Sequence, residues 1–140
     1  MIVADTNLVA YLLIDGRDTR TAERVFEADD EWCAPVLWRS ELRNVLARKM
    51  RDGDFELDAA IEAWRLAVTL FDGREFQPNG EHVLRLAAPS GCTAYDCEFV
   101  AVARDVDVPF VTFDRDVVRR FGEVAVEAKA FVRRRGGGTG

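Results

Sequence analysis

The stretch Ile2-Val3-Ala4-Asp5-Thr6-Asn7 decides the fold of this 140-residue chain. Its apolar run predicts a short buried strand, and it ends in three residues that favour the start of a helix. Leu8 to Ile14 then predicts a buried helix, which Asp15-Gly16 closes. A strand that leads directly into a helix is the repeating unit of a parallel α/β sheet. Asp5 therefore lies just past a strand end, where such sheets bind their ligands.

The same alternation of strands and helices continues along the chain. Further strands are predicted at residues 32–34, 74–77, 110–112 and 123–128, of which 74–77 and 123–128 are weak. Further helices are predicted at residues 19–28, 37–50, 57–70, 81–88, 93–104 and 114–120. This pattern indicates an α/β fold: one domain with a central parallel sheet of about four to five strands and helices on both faces. We expect this domain to span residues 1–132, followed by a flexible, basic and glycine-rich tail at 133–140.

Three more acidic residues occupy positions comparable to that of Asp5. Asp114 follows the strand at 110–112, whereas Glu41 and Asp96 lie in the opening turns of long helices. Each acid has a structural alternative, because Asp5 and Asp114 can cap helices. Asp96 has capping-box spacing, and Glu41 suits a helix N-terminus. However, Glu41 and Asp96 lie in apolar sequence, where an unpaired carboxylate is costly. Four carboxylates at one sheet edge predict a Mg²⁺ or Mn²⁺ site, of the kind most often used on phosphates.

Composition narrows the class of function. The chain is 49% hydrophobic and 31% charged, which is typical of a globular protein, and it has no apolar run long enough to cross a membrane. His82 is the single histidine, which nearly excludes a His-based triad or a His-rich metal site. Cys33, Cys92 and Cys97 form no CxxC pair, so we expect free thiols in a reducing compartment. The start at Met1 lacks the pattern of a signal peptide, and we expect a cytoplasmic protein.

The charge distribution has two interpretations. A net charge of −6 and a pI near 4.9 argue, taken alone, against binding of nucleic acid. Cations held by clustered carboxylates would offset much of that negative field. Basic residues also cluster, at Arg39, Arg43, Arg48, Lys49 and Arg51 and again at 133–135. These clusters are equally consistent with solvated helix faces and a tail, or with contacts to phosphates.

Four segments of the chain, in this order and at these separations, resemble the PIN domain. They are Val3-Ala4-Asp5-Thr6-Asn7, then Ser40-Glu41-Leu42 after Ala34-Pro35, then Tyr95-Asp96-Cys97-Glu98-Phe99, then Val111-Thr112-Phe113-Asp114-Arg115-Asp116. The chain looks most like the VapC-type toxins of prokaryotic toxin–antitoxin pairs, and the resemblance covers Met1 to Phe131. It implies a Mg²⁺- or Mn²⁺-dependent endoribonuclease whose catalytic and metal-binding residues are Asp5, Glu41, Asp96 and Asp114.

The resemblance also implies residues and partners around these acids. Side chains expected to orient or accompany the acids are Thr6, Asn7, Thr112 and Asp116. From the first basic cluster, Arg39, Arg43 and Arg48 are then candidate contacts to RNA. The expected partners are an RNA substrate (tRNA, rRNA or mRNA), a cognate antitoxin, and a second copy of the chain that pairs through apolar faces around Trp64 and Leu66. No membrane is expected to take part.

Three alternatives remain beside this interpretation. The first is a PIN-type RNA-processing nuclease that has no antitoxin. The second is a receiver-like domain, which would need two adjacent acids after the first strand and a lysine after the last; here Asp5 stands alone and Lys129 is the only late lysine. The third is a non-catalytic binding module, against which the four intact acids argue.

Overall fold

Five short parallel strands form one central sheet in the computed structural model, which describes residues 1–137. The strands are β1 (Ile2–Ala4), β2 (Trp32–Pro35), β3 (Glu75–Phe76), β4 (Phe110–Thr112) and β5 (Ala125–Glu127). Their order across the sheet is β3-β2-β1-β4-β5, and every neighbouring pair is parallel. β1 is therefore central, and the chain winds outward from it in both directions. The predicted α/β fold with a parallel sheet is confirmed.

Eight helices in the described part of the chain flank this sheet. They are α1 (Thr6–Leu13), α2 (Thr19–Ala28), α3 (Trp38–Arg51), α4 (Leu57–Leu70), α5 (Gly80–Ser90), α6 (Ala94–Val106), α7 (Arg115–Arg120) and α8 (Ala128–Gly137). Side-chain caps set several of their starts: Asn79 accepts a hydrogen bond from the backbone N–H of His82, and Thr93 accepts one from that of Asp96. No helix within residues 1–137 is long and apolar enough to cross a membrane.

Burial explains why the central strands fix the fold. All three residues of β1 are fully buried, and α6 contributes an unbroken buried run at residues 99–103. Trp32, Trp38 and Phe71 are the largest of the fully buried side chains, and Trp38 packs against Phe71 with ring centroids 4.6 Å apart. Buried aromatic rings contribute heavily to core stability, since each removes a large apolar area from water. The core thus surrounds the strand ends from which the candidate acids project.

The end of α5 differs from the prediction. The sequence predicts that this helix ends at residue 88, before Pro89, but the helix continues to Ser90 with Pro89 in its last turn. Gly91 ends it instead, with a φ of 72°, a conformation that glycine adopts without steric cost. Pro89 has no N–H to donate to the carbonyl of Arg85, but the helix needs to continue for only one more residue, so this loss does not force an earlier end.

The C-terminal segment differs more. The sequence predicts a last strand at residues 123–128 and a flexible tail from 133, whereas the strand covers 125–127 and α8 follows directly to Gly137. Ala128 is fully buried and Phe131 is 4% exposed, so the start of α8 belongs to the core. α8 packs mainly against α2. Residues 138–140 lie outside the described residues, and a domain boundary at 132 stays a prediction.

Candidate metal centre

All four candidate acids line one cavity of about 290 Å³. Asp5 directly follows β1, and Asp114 comes two residues after the end of β4; the two strands are adjacent and parallel, so both side chains leave the same edge of the sheet. Glu41 comes from the first turn of α3, and Asp96 from the first turn of α6. Four separate elements therefore bring together residues that are widely spaced in the sequence.

A hydroxyl group links the two acids that follow the central strands. The Oγ1 of Thr112 donates a hydrogen bond to Oδ2 of Asp5 at 2.5 Å and accepts one from the backbone N–H of Asp114 at 3.0 Å. The other oxygen of Asp5, Oδ1, accepts from the backbone N–H of Asn7 at 2.8 Å. Both oxygens of Asp5 are thereby held, and the orientation of its carboxylate is fixed.

A second threonine holds Glu41 in a comparable way. The Oγ1 of Thr6 donates a hydrogen bond to Oε1 of Glu41 at 2.8 Å, which joins the start of α1 to α3. Thr6 and Thr112 are 5% and 1% exposed, and they are the buried polar side chains of the described residues. A buried hydroxyl is costly without a partner, and each of these two finds its partner in a site carboxylate.

The acids also serve the helices on which they stand. Asp5 caps α1, and Oδ1 of Asp114 caps α7 through the backbone N–H groups of Asp116 and Val117 at 2.9 and 3.2 Å. Thr93 caps α6 at Asp96. The structural alternatives from the sequence are therefore real, but they do not compete with a binding role. A carboxylate has about four lone-pair positions, and capping uses only one or two of them.

The electrostatics of the cavity disfavour ionised carboxylates. Burial raises the pKa of Asp5, Glu41 and Asp96 above the ordinary range. Negative neighbours add to this: Asp114 raises the pKa of both Asp5 and Asp96, and Asp5 raises that of Glu41. Hydrogen bonds from Thr112, Thr6 and Thr93 partly oppose the rise for Asp5, Glu41 and Asp96 in turn. A cation in the cavity would relieve this excess of negative charge.

The chemistry of the cavity fits a hard divalent cation. Its ionisable lining consists of the four carboxylates and Arg48, and the amides of Asn7 and Asn44 offer further oxygen atoms. Oxygen donors of this kind suit Mg²⁺ and Mn²⁺. Within residues 1–137, no three Asp, Glu, His or Cys side chains already form a metal-binding group. The carboxylates would therefore have to draw closer together around an ion.

The three arginines predicted as RNA contacts separate onto two sides of α3. Arg48 lines the cavity, one turn beyond Asn44 and two turns beyond Glu41. Arg39 instead forms a two-pronged ion pair with Glu75, at 2.7 and 3.0 Å, and Arg43 lies over the Trp64 ring at 5.2 Å. Of the three, Arg48 alone has a position from which it can contact RNA at the cavity.

The positions of Asn44 and Asp116 differ from the site that the sequence predicts. Asn44 lines the cavity but is not among the predicted site residues, although its place between Glu41 and Arg48 at helical spacing could have revealed it. Asp116 is among the predicted residues, yet its exposed carboxylate pairs with Arg119 and is not part of the cavity lining. Asp116 reaches the site only through its backbone N–H, which bonds to Asp114.

Comparisons with known proteins identify the family of the chain. The family model of the PIN domain matches residues 2–125, and the chain therefore belongs to the PIN domain family. PIN domains are generally nucleases that use divalent metals. No curated protein matches the chain significantly.

Solved structures share the fold. PAE2754 from Pyrobaculum aerophilum is 20% identical, with a TM-score of 0.76, over 97% of this chain and 96% of that one. A toxin–antitoxin complex from Klebsiella pneumoniae is 17% identical, with a TM-score of 0.66, over 91% and 98%. FitAcB from Neisseria gonorrhoeae is 20% identical, with a TM-score of 0.67, over 91% and 96%. At these identities the likeness establishes the fold alone.

The raised pKa values yield a prediction about stability. A carboxyl group whose pKa is raised on folding destabilises the protein above that pKa, and the cost fades as pH falls toward the ordinary value, 3.8 for Asp96. Asp96→Asn should therefore leave the metal-free protein equally or more stable at pH 7, with any gain shrinking as the pH approaches 4. Melting temperatures in EDTA across this range measure the effect.

The exposed loop residue Asp30 provides the control, since Asp30→Asn should show no such pH-dependent gain. A loss of several degrees at pH 7 for Asp96→Asn would mean that Asp96 acts mainly in capping α6.

Proposed function

We propose that this protein is a Mg²⁺- or Mn²⁺-dependent endoribonuclease and the toxin of a VapBC-like toxin–antitoxin pair. The observation that carries the proposal is the cavity at the ends of β1 and β4, where carboxylates from four elements meet. Two buried hydroxyl groups hold two of these carboxylates in fixed orientations. Such precise placement of costly charges is typical of an active site rather than of a stabilising core.

The residues have distinct roles in this proposal. Asp5, Asp96 and Asp114, with help from Glu41, would hold one or two ions. When bound, the metal supplies Lewis acidity toward a phosphate and makes a water molecule more acidic. Thr112 and Thr6 keep the carboxylates of Asp5 and Glu41 from rotating, which fixes the direction of their oxygen atoms.

The other residues that line the cavity also favour a phosphodiester as the substrate. Phe99 and Val117 form apolar parts of the wall, which lower the local dielectric and strengthen the attraction between carboxylates and a cation. Arg48 supplies a cation at the same cavity, placed to pair with a phosphate oxygen of the substrate. The backbone of a nucleic acid combines these needs, and we propose RNA as the substrate, whether the molecule is a tRNA, rRNA or mRNA.

The antitoxin part of the proposal rests on charge and on the relatives. A cavity lined by four acids attracts a basic peptide, and the forked guanidinium of arginine matches carboxylates geometrically. One of the similar structures is a toxin–antitoxin complex from Klebsiella pneumoniae. A PIN-type RNA-processing nuclease without an antitoxin would use the same cavity and is the second candidate. A receiver-like domain loses its support, because the chain belongs to the PIN family. We also propose a cytoplasmic location, in line with the free cysteines.

A homodimer is also part of the proposal, with a revised surface. Trp64 is half-buried, stacked on Trp38, and Leu66 lies on the opposite side of α4 from Leu57. The apolar hollow between α3 and α4 has a volume of about 300 Å³ and is lined by Trp64, Ile61 and Leu57, of which Leu57 is 62% exposed; Leu66 is not part of its lining. An exposed apolar hollow of this kind marks an interaction surface.

The nuclease proposal predicts a pattern of activity loss. Asp5→Asn, Asp96→Asn and Asp114→Asn should each abolish metal-dependent cleavage of RNA, because each removes a carboxylate from the cavity. Thr112→Val should lower the rate roughly 10–100-fold, since Asp5 would keep its charge but lose its orientation. Gel analysis of single-stranded RNA with Mg²⁺ or Mn²⁺, and with EDTA as a blank, measures both effects.

The matched control is Asp58→Asn, which changes an exposed acid of α4 away from the cavity and should cleave like wild type. Undiminished cleavage by the three cavity variants would overturn the nuclease site.

The toxin proposal predicts a cellular effect. Expression of wild type should arrest growth, whereas Asp96→Asn should not, because arrest requires cleavage of RNA. Co-expression of the protein encoded directly upstream should restore growth, and that protein should co-purify with the chain. If wild type is harmless and no neighbour binds it or blocks cleavage, the toxin assignment fails while the nuclease assignment can stand.

The dimer proposal predicts that Leu57→Glu converts a dimer into a monomer, because it places a charge in the apolar hollow. Leu84→Glu changes an equally exposed leucine on α5 and should leave the dimer intact. Analytical ultracentrifugation distinguishes the two masses. A wild type that sediments as a monomer at high micromolar concentration would contradict the proposal.

A further inference from the structure

The C-terminal helix α8 helps to enclose two adjoining hollows that carry mostly positive charge. The first, of about 220 Å³, is lined by Thr21, Arg24, Lys129, Val132 and Arg133. The second, of about 520 Å³, shares Thr21 and Lys129 with the first, so the two form one continuous surface. We call this surface the basic track and define it by its cationic side chains: Arg17, Arg24, Arg115, Lys129 and Arg133.

The basic track reaches the candidate metal centre. Phe113 and Arg115 line the second hollow, and they flank Asp114 of the metal centre in the sequence. Tyr11 also lines the hollow and lies near enough to the charge of Asp5 for that charge to raise the pKa of Tyr11, after burial and the charge of Asp18. The rings of Tyr11 and Phe113 meet edge to face, with centroids 4.9 Å apart. An aromatic pair thus lines the basic track at the residues next to Asp114 in the sequence.

The five cationic side chains of the basic track form no salt bridges within residues 1–137. The two hollows include two carboxylates, Asp18 and Glu127, against these five cations. A local excess of unpaired positive charge stands out on a chain whose net charge is −6, and it suits an anionic ligand.

We propose that the basic track binds backbone phosphates of the RNA substrate on one side of the bond to be cleaved. The proposal rests on the proposed nuclease function, because the track begins beside Asp114. A charged groove beside aromatic rings is the usual arrangement for single-stranded nucleic acid: cations follow the backbone, and bases stack on the rings. Lys129 and Arg133 lie beyond residues 2–125, so this part of the track is supplied by a segment outside the family match.

The track solves an electrostatic problem of the cavity. The acids that would hold a metal repel the rest of a polyanionic substrate, and a bound ion offsets charge only near the scissile phosphate. Arginine and lysine a few nucleotides away provide the compensating attraction. The basic track therefore also determines on which side of the bond to be cleaved the protein binds the RNA.

Binding is tested in the Asp96→Asn background, which separates it from cleavage. The probe is a fluorescently labelled single-stranded RNA of mixed sequence, followed by anisotropy at several salt concentrations. The variant Lys129→Glu/Arg133→Glu should weaken binding at least about tenfold and lower the slope of log Kd against log salt by about 0.7 for each phosphate that the track no longer neutralises. Arg65→Glu/Arg85→Glu, with the same change of charge at exposed positions on α4 and α5, is the matched control and should bind like the parent.

Circular dichroism confirms that each variant is folded before binding is measured. Equal RNA affinity in the track and control variants overturns the proposal, whatever the cleavage assay shows. Affinity of the track for poly-glutamate but not for RNA would also overturn it, in favour of an acidic protein partner. The nuclease function itself fails by a different result, namely the absence of metal-dependent cleavage by wild type.

Discussion

The hydrogen bond from Thr112 to Asp5 is the interaction on which the site depends. It crosses from β4 to the end of β1 at the centre of the sheet, and the same hydroxyl accepts the backbone N–H of Asp114. A hydroxyl group this deeply buried must find partners, so packing of the two strands forces the two acids into one arrangement. The relative placement of Asp5 and Asp114 is therefore a consequence of folding, whereas the full set of four carboxylates would still have to draw closer together around an ion.

The carboxylates that would carry the proposed function also affect the stability of the fold. Burial and mutual repulsion make the charges of the cavity unfavourable, as the raised pKa values of Asp5, Glu41 and Asp96 show. Asp5 and Asp114 also cap α1 and α7, and each cap stabilises the fold by about 1 kcal/mol. This stabilisation offsets part of the unfavourable electrostatic energy. Residues that cap helices can thus tolerate a strained electrostatic role, which reconciles the two interpretations that the sequence left open.

Charge is distributed in a way that the composition conceals. The acids of the cavity account for part of the net charge of −6, while unpaired cations gather on α8 and near the starts of α2 and α7. Arg39 and Arg43, which belong to the most conspicuous basic cluster of the sequence, are engaged with Glu75 and Trp64. An acidic pI is consequently a poor guide to whether such a protein can bind RNA.

The sequence by itself determined the strand-to-helix junctions, because an apolar run followed by capping residues is a local signal. Those junctions placed Asp5 and Asp114 at one sheet edge, and helical spacing was enough to place Glu41 and Asp96 in first turns. Only the tertiary structure decided that α8 is a packed helix, since two buried residues, Ala128 and Phe131, outweigh a polar and glycine-rich local sequence. It alone also decided that Arg48, and neither Arg39 nor Arg43, faces the cavity, because helical periodicity separates the faces of α3 but does not say which face meets the other elements.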